Sequence, residues 1–330
     1  MSKILFKDVL KIYPGAERPA VNKVNFEVQT GEFIVILGTS GCGKTTLLKM
    51  VNRLYEMTDG SIIIDDIETR ELAVNELRRK IGYVIQQSGL FPHMTVEQNI
   101  GVVPEMLGWD KNRIKKRAEE LLRLVHLDPK IYQNRYPRQL SGGQQQRIGL
   151  ARALAADPPI MLMDEPFGAI DAITRTKLQD ELVYIQKKLH KTILFVTHDV
   201  EEALRLADKI VIMKDGNIIQ YDTPFNIITN PKNDFVRDLI GGDDIIRQLS
   251  FINVKVAMQK VSDKTKVDSS NSIPETLDLK SVIIHMLKYS AESLYVVDEN
   301  KNVKGKVDFA RIQTLLKTTT KNELGEVSYG

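Results

Sequence analysis

Apolar residues in the first two thirds of the chain follow two recurring patterns. Short uninterrupted apolar runs between turn residues are typical of buried strands. Such runs cover residues 33–37, 81–85, 159–163 and 192–196. Apolar positions three and four residues apart predict helices over 110–127 and 174–189. Buried strands that alternate with amphipathic helices favour an α/β fold built around an open sheet.

Other segments alternate polar and apolar residues, which predicts strands with one buried face. This pattern covers residues 3–9 and 24–28, near the N-terminus. Farther along, the Asp215-Gly216 pair is a strong turn signal, and it predicts a hairpin of strands over 209–213 and 217–221.

The pattern changes after the stretch Gly241-Gly242-Asp243-Asp244, which is the best candidate for a hinge because glycines and like charges favour an exposed backbone. We therefore predict one domain over 1–240 and a small α+β domain over 241–330. In the second domain, the patterns predict strands over 252–257, 294–298 and 303–307 and helices over 279–287 and 309–316. A core this small is marginal alone, so the domain is expected to pack on something, such as a second copy of itself.

Length and composition narrow the class of protein. The chain has 330 residues, enough for one large α/β domain and a smaller one. Its net charge of +3 is nearly balanced, so no overall field favours a nucleic-acid partner. The single cysteine, Cys42, cannot form an internal disulfide, which favours a reduced, intracellular protein. No apolar run approaches the roughly 18 residues of a membrane helix, so the chain itself is not expected to cross a membrane.

A glycine-rich loop joins a predicted strand to the helix after it. Its residues are Gly38, Thr39, Ser40, Gly41, Cys42, Gly43, Lys44, Thr45 and Thr46. The glycines let backbone N–H groups turn inward around a phosphate chain, and the positive end of the helix dipole points at the same anion. Lys44 adds a full charge at the β and γ phosphates, and the Thr45 hydroxyl can ligate a Mg²⁺ ion that bridges them. The loop predicts a nucleoside triphosphate site, with Cys42 as a small filler.

Two adjacent carboxylates follow the predicted strand over 159–163. Consecutive strand residues point to opposite faces, so Asp164 and Glu165 cannot do the same job. Asp164 can hold the magnesium, which leaves Glu165 to polarise an attacking water. His198 follows another predicted strand, and taken singly it fits a structural role as well as a chemical one.

Polar and aromatic residues near other strand ends add candidates. Gln86 lies at the carboxyl end of the strand over 81–85, the side on which open α/β sheets bind ligands, so it is placed to reach the nucleotide. Tyr13 either caps a small core or stacks on a ligand. The loop that follows Gln86 contains four apolar residues that either close a local cluster or form the floor of a groove for a partner: Leu90, Phe91, Pro92 and Met94.

A second anion-ready helix terminus is predicted near residue 141. A helix is predicted over 145–156, and Ser141 can serve as its N-cap or as a phosphate ligand. The residues of this terminus are Ser141, Gly142, Gly143 and Gln144. Two such termini in one chain call for an explanation.

These motifs have the order and spacing found in ABC transporter ATPase subunits, which residues 1 to about 240 resemble. The resemblance implies a P-loop NTPase cassette with a RecA-like core, a helical subdomain and an N-terminal antiparallel β part, acting on ATP with Mg²⁺. It implies that Tyr13 stacks on adenine and that Gln86 senses magnesium and the membrane partner. The catalytic residues it implies are Glu165 as general base, His198 at the γ phosphate, Lys44 and Gln86. The metal ligands it implies are Thr45, Gln86 and Asp164.

The same resemblance explains the second anion site. In that family two cassettes associate head to tail, so Ser141 and Gly143, with Gly142 and Gln144, are expected to face the γ phosphate held by the other chain. Transmembrane permease subunits and, indirectly, a substrate-binding protein are further expected partners. The expected location is the cytoplasmic face of a bacterial membrane.

Within the family, residues 91–96, 133–137 and 166–171 look most like ATPases of glycine betaine, carnitine and choline importers, which act in osmoprotection. An importer for another small solute, such as an amino acid or a sulfonate, is the alternative, followed by a non-transport ABC ATPase. Residues 250–317 resemble one CBS motif, whose usual second copy is missing. Nucleotide sensing, ionic-strength sensing and dimerisation therefore stay open for that segment.

Overall fold

The structure, a computed structural model, describes residues 3–85, 89–168, 170–241, 249–259 and 271–320. Contacts divide the chain into two compact units, between Tyr221 and Asp222. This division lies before the boundary predicted at residue 240, because the helix Pro224–Thr229 packs against the helices Asp234–Ile240 and Phe309–Thr320.

The first unit contains strands and helices in alternation. Its strands are β1 (Ile4–Lys11), β2 (Val21–Val28), β3 (Phe33–Gly38), β4 (Asp59–Ile64), β5 (Ile67–Glu68), β6 (Ile81–Val84), β7 (Ile160–Asp164), β8 (Thr192–Thr197), β9 (Lys209–Lys214) and β10 (Asn217–Asp222). Its helices are α1 (Lys44–Val51), α2 (Val74–Arg79), α3 (Val96–Met106), α4 (Lys111–Leu124), α5 (Pro129–Tyr132), α6 (Gly142–Leu154), α7 (Ala172–Leu189) and α8 (Val200–Leu206), with a 3-10 turn at Pro137–Gln139.

The larger sheet of this unit has the strand order β10-β9-β3-β8-β7-β6. The pairs from β9 through β6 are parallel, and β9 and β10 form the predicted hairpin. All side chains of β3, β7 and β8 are buried, which explains their unbroken apolar runs. Because these three strands are parallel neighbours, their carboxyl ends meet at one edge of the sheet, where such sheets bind ligands.

A smaller antiparallel sheet, in the order β2-β1-β4-β5, accounts for the alternating N-terminal segments. The rings of Phe6 and Phe26 stack across it with centroids 4.1 Å apart. Its inner residues share one apolar cluster with Leu47 of α1 and Leu162 of β7, so α1 is held between the two sheets. The glycine-rich loop therefore has rigid elements on both sides.

Helices α3, α4 and α6 pack together and form the predicted helical part of the cassette. Helix α6 begins at Gly142, three residues before the predicted start at residue 145. The reason is a capping box, in which Ser141 Oγ accepts a hydrogen bond from the Gln144 amide (3.3 Å) and Gln144 Oε1 accepts one from the Ser141 amide (3.0 Å). This exchange stabilises a helical first turn despite its two glycines.

The second unit is α+β, as predicted. It contains α9 (Pro224–Thr229), α10 (Asp234–Ile240), a 3-10 turn at Val254–Val256, β11 (Ser272–Pro274), α11 (Leu279–Tyr289), β12 (Ser293–Val297), β13 (Val303–Asp308) and α12 (Phe309–Thr320). The strand predicted over 252–257 is wrong, because Asn253 Oδ1 accepts from the Lys255 amide (2.9 Å) and turns the chain into the 3-10 turn. Of the predicted hinge, only Gly241 lies within the described residues, where it ends α10 in the left-handed conformation.

Among the residues that the structure describes, no helix is both long enough and apolar enough to span a membrane.

Candidate functional site

The glycine-rich loop runs from the end of β3 to the start of α1. Gly43 has a φ of +104°, and a Cβ atom there would overlap the carbonyl oxygen of Ala20. A Cβ atom on Gly38 would overlap the carbonyl oxygen of Met213. No side chain caps α1, so the N–H groups of its first turn can bind an anion. Glycine is therefore required by both backbone shape and close packing.

Lys44 is the first residue of α1, and its side chain folds back over the loop. It is 6% exposed, and its Nζ donates to the carbonyl oxygens of Gly38 (2.7 Å) and Thr39 (2.8 Å). The Cys42 sulfur lies 3.8 Å from the same nitrogen. Burial raises the pKa of the Cys42 thiol, which agrees with its prediction as a small filler. The ammonium group is thus held where the loop would enclose a phosphate chain.

Thr45 and Asp164 lie next to each other although they are far apart in the sequence. Thr45 Oγ1 donates to Asp164 Oδ1 at 2.9 Å. A hydroxyl and a carboxylate at this spacing fit Mg²⁺, which prefers oxygen ligands and takes few of them from the protein when phosphates supply the rest. Within the described residues, no group of three or more acidic, histidine or cysteine side chains could hold a metal ion.

Asp164 is 4% exposed, and burial raises its pKa, while the hydrogen bond from Thr45 acts in the opposite direction. Its ionised form is therefore destabilised in the folded chain. Because the pKa of Asp164 is higher in the folded chain, this group adds to the free energy of unfolding when the pH is below the unfolded-state pKa of about 4. This contribution is lost as the pH rises through the folded-state pKa.

We expect Asp164→Asn to raise the Tm of the nucleotide-free protein at pH 7.5 by about 3 °C, because it removes a buried charge and keeps an acceptor for Thr45. The gain should grow from about pH 4 up to the folded pKa and stay constant above it. Thermal unfolding of both proteins across this range is the measurement. An equal Tm at pH 7.5 would show that the carboxylate is not destabilising.

Glu165 follows β7 and adopts a backbone conformation that is rare for residues other than glycine. Its φ is +47°, which costs about 1–2 kcal/mol. Its amide donates to the carbonyl oxygen of Val196 on β8 (2.9 Å). His198 Nδ1 lies 3.0 Å from Glu165 Oε1, and in the tautomer with the proton on Nδ1 the imidazole donates to this carboxyl oxygen. The two residues thus meet at the carboxyl ends of neighbouring strands.

A buried polar network behind His198 was missed in the sequence, because its members lie on three elements. Glu202 on α8 accepts hydrogen bonds from Thr197 Oγ1 (2.7 Å) and from Gln179 Nε2 on α7 (3.2 Å). Thr197 Oγ1 also accepts from the Asp199 amide (3.0 Å). These bonds hold both sides of His198, and burial raises the pKa of Glu202. The only sequence signal for this network was the position of Glu202, an acid four residues after His198.

Tyr13 lies beside the glycine-rich loop. Its hydroxyl group is 3.2 Å from Thr46 Oγ1, and its ring meets Tyr55 edge to face with centroids 6.0 Å apart. Lys11 Nζ lies 5.2 Å from the centre of the Tyr13 ring. These contacts hold an aromatic ring next to α1, as stacking on a base requires.

The second anion-ready terminus begins α6. Ser141 and Gly142 are exposed, while Gly143 and Gln144 are half-buried. Gln144 Nε2 donates to the Tyr132 hydroxyl (3.2 Å). Within the described residues, no hydrogen bond joins this terminus to the glycine-rich loop of the same chain. The two anion-ready termini are therefore separate features of one chain.

Two predicted elements fall partly outside the described residues. Gln86, predicted as a catalytic and metal-binding residue, is outside them. Ala169, within the stretch 166–171 that resembles the importer ATPases, is outside them as well. Ile170, which directly follows Ala169, is buried, and its carbonyl oxygen accepts from Arg175 Nη2 (3.0 Å).

This arrangement of a glycine-rich loop and carboxylates along one edge of a parallel sheet is typical of ATP-binding cassettes. A model of the ABC transporter family matches residues 21–168. The chain belongs to this family, as an ATP-binding subunit of the kind whose ATPase activity is coupled to transport.

Curated relatives extend the similarity to most of the chain. The glycine betaine/carnitine/choline transport ATP-binding protein OpuCA of Bacillus subtilis (strain 168) is 49% identical over 93% of this chain and 78% of its own length. The glycine betaine uptake system ATP-binding protein YehX of Escherichia coli (strain K12) is 45% identical over 89% of this chain and 94% of its own.

A solved structure supports the fold. The ATP-binding cassette MJ0796, in a dimeric post-hydrolysis state bound to ADP and Pi, matches with a TM-score of 0.63 and 36% identity. The match covers 67% of this chain and 98% of that one. The predicted cassette fold is therefore confirmed, whereas the CBS-like segment and the roles of individual site residues stay predictions.

Proposed function

We propose that this chain is the ATP-hydrolysing subunit of an importer for quaternary amines such as glycine betaine, carnitine or choline. The observation that carries the ATPase part is a pair of contacts at the carboxyl ends of neighbouring strands: Thr45 with Asp164 (2.9 Å) and His198 with Glu165 (3.0 Å). The substrate class is supported by similarity to the relatives above, over most of the chain.

The glycine-rich loop binds the triphosphate. Backbone N–H groups and the start of α1 surround the phosphates, and Lys44 exchanges its bonds to Gly38 and Thr39 for bonds to the β and γ phosphate oxygens. Tyr13 stacks on the adenine ring. Thr45 and Asp164, with Gln86, would hold Mg²⁺, which would supply positive charge to neutralise the charge that develops on the transferred phosphoryl group.

Glu165 takes the proton from the attacking water. Its carboxylate is directed by the amide bond to β8 and by His198, which donates through Nδ1. When His198 turns from the carboxylate to the γ phosphate, Glu165 is released to act as a base. Glu165 is therefore free to accept a proton only when the γ phosphate is present to bind His198.

A second copy of the chain completes the site. Ser141 and Gly143 at the exposed start of α6 face the γ phosphate bound by the partner copy, so that each ATP lies between unlike surfaces. Closure of the two copies excludes bulk water, and hydrolysis reopens them. The structure of MJ0796, a cassette of the same fold that is dimeric, supports the association of two copies.

A groove of about 350 Å³ is a docking site for a helical segment of a permease subunit. It is lined by the apolar side chains of Phe91, Val102 and Val103 and by the cationic side chains of Arg78 and Arg79. Asn99 bonds the backbone of Phe91 in both directions (2.8 and 3.1 Å) and so holds the loop beside it. The chain then sits at the cytoplasmic face of the membrane, and a substrate-binding protein acts on the far side.

Transport by the host organism tests the substrate class. Deletion of this chain is expected to abolish ATP-dependent uptake of labelled glycine betaine, carnitine or choline at high osmolarity. Uptake should return with the intact chain and not with Glu165→Gln. If quaternary amine uptake persists while uptake of an amino acid or a sulfonate is lost, the alternative solute class replaces the one proposed. If the deletion changes no uptake, a non-transport role replaces the proposed one.

A further inference from the structure

Gln146, one helical turn after the exposed start of α6, has no role in the assignments above. Its side chain is 4% exposed, although amides are usually found at the surface. Its Nε2 donates to the carbonyl oxygen of Glu165 at 3.2 Å. A buried donor on α6 is thus bonded to the backbone of the residue that follows β7.

We propose that Gln146 is a positioning residue for Glu165, and that it links the anion site at the start of α6 to the carboxylate in the same chain. The inference rests on the proposed function, in which Glu165 is the base and α6 contacts the partner's ATP. Gln146 itself touches neither nucleotide nor water in this scheme.

The geometry around Glu165 gives Gln146 this role. The amide of Glu165 is bonded to Val196 on β8, and its carboxylate to His198. Its carbonyl oxygen accepts from Gln146 and, at 3.4 Å, from the Gly168 amide. A residue with φ of +47° returns readily to a commoner conformation unless its peptide groups are held. The bond from α6 is therefore one of the restraints that direct the carboxylate.

The position of Gln146 on α6 connects the anion site at the start of this helix to Glu165. Gly142 and Gln146 are four residues apart, so they lie on the same face of the helix, one turn from each other. A helix moves as a rigid element over one turn. A shift of the first turn of α6 on contact with the partner's γ phosphate is therefore passed to the backbone of Glu165. Each Glu165 then responds to the nucleotide in the opposite site.

The test uses the full chain with Gln146→Met, which keeps the size of the side chain and removes its donor. Gln186→Met is the matched control. Gln186 is also 4% exposed, and its amide donates to the carbonyl oxygen of Gly31, which is outside the site. Gln146→Glu is a second variant, because its carboxylate repels the Glu165 carbonyl oxygen instead of donating to it.

In steady-state ATP hydrolysis, Gln146→Met and Gln146→Glu should lower kcat five- to tenfold with KM for ATP changed less than twofold. Their Hill coefficients should fall toward 1 from a higher wild-type value. Gln186→Met should show a similar loss in Tm with wild-type kcat and Hill coefficient.

A kcat for both Gln146 variants equal to that of Gln186→Met overturns the positioning role. A wild-type Hill coefficient in the Gln146 variants overturns the link between sites. If the unaltered chain shows no hydrolysis that depends on Glu165, the proposed function itself fails, and this inference fails with it.

Discussion

Replacing Glu165 with glutamine is expected to lower kcat for ATP hydrolysis by a factor of about 10²–10⁴ and to leave ATP affinity almost unchanged. The amide has nearly the shape of the carboxylate and can still bond to His198, but it cannot accept a proton from water. The backbone bond from Glu165 to Val196 is kept, so the turn should be preserved. Phosphate release under saturating ATP measures the first effect, and equilibrium binding of labelled ATP measures the second.

The same variant should accumulate as an ATP-bound dimer, because hydrolysis is the step that separates the two copies. Light scattering after size exclusion, with and without ATP, detects this dimer. Glu201, an exposed acid on α8, provides the control: Glu201→Gln should hydrolyse ATP at the unaltered rate. Hydrolysis by Glu165→Gln at the unaltered rate would remove Glu165 as the base.

Replacing Lys44 with alanine is expected to weaken ATP binding by a factor of about 100, which corresponds to about 3 kcal/mol. The ammonium group is buried and placed between the Gly38 and Thr39 carbonyl oxygens, so a triphosphate in the loop has this cation as its main charged partner. Titration calorimetry with ATP and Mg²⁺ measures the change.

A lysine in the antiparallel sheet serves as the control for this variant. Lys7 on β1 is exposed, and Lys7→Ala should bind ATP with unaltered affinity. A Tm measurement shows whether Lys44→Ala stays folded, since its buried ammonium also bonds the loop. A folded Lys44→Ala that binds ATP as tightly as the unaltered chain would contradict the assignment.

The local elements of the site could be predicted because each one has a short sequence signature. The glycine-rich loop between strand and helix, and the acid pair after the strand over 159–163, carry their chemistry in adjacent residues. Ser141 was predicted as a possible N-cap, and it is one. The start of α6 was placed too late because propensity disfavours two glycines in a helix, whereas a capping box outweighs that preference.

The strand predicted over 252–257 shows the limit of pattern reading. Alternating apolar residues there do bury Ile252 and Val254, but the side chain of Asn253 competes for the backbone and closes a turn. Periodicity alone does not report such a local competition.

The amino-acid sequence determined the phosphate loop, the carboxylates, the parallel core and the family, because these depend on local spacing and on apolar periodicity. The sequence placed Thr45 with Asp164 and His198 with Glu165 in one site, but only the tertiary structure showed that each pair is directly hydrogen-bonded and that Gln146 bonds the Glu165 backbone. The physical reason is that a buried polar group must find a partner, and the order of strands in the sheet, not the order along the chain, sets which partner lies within reach.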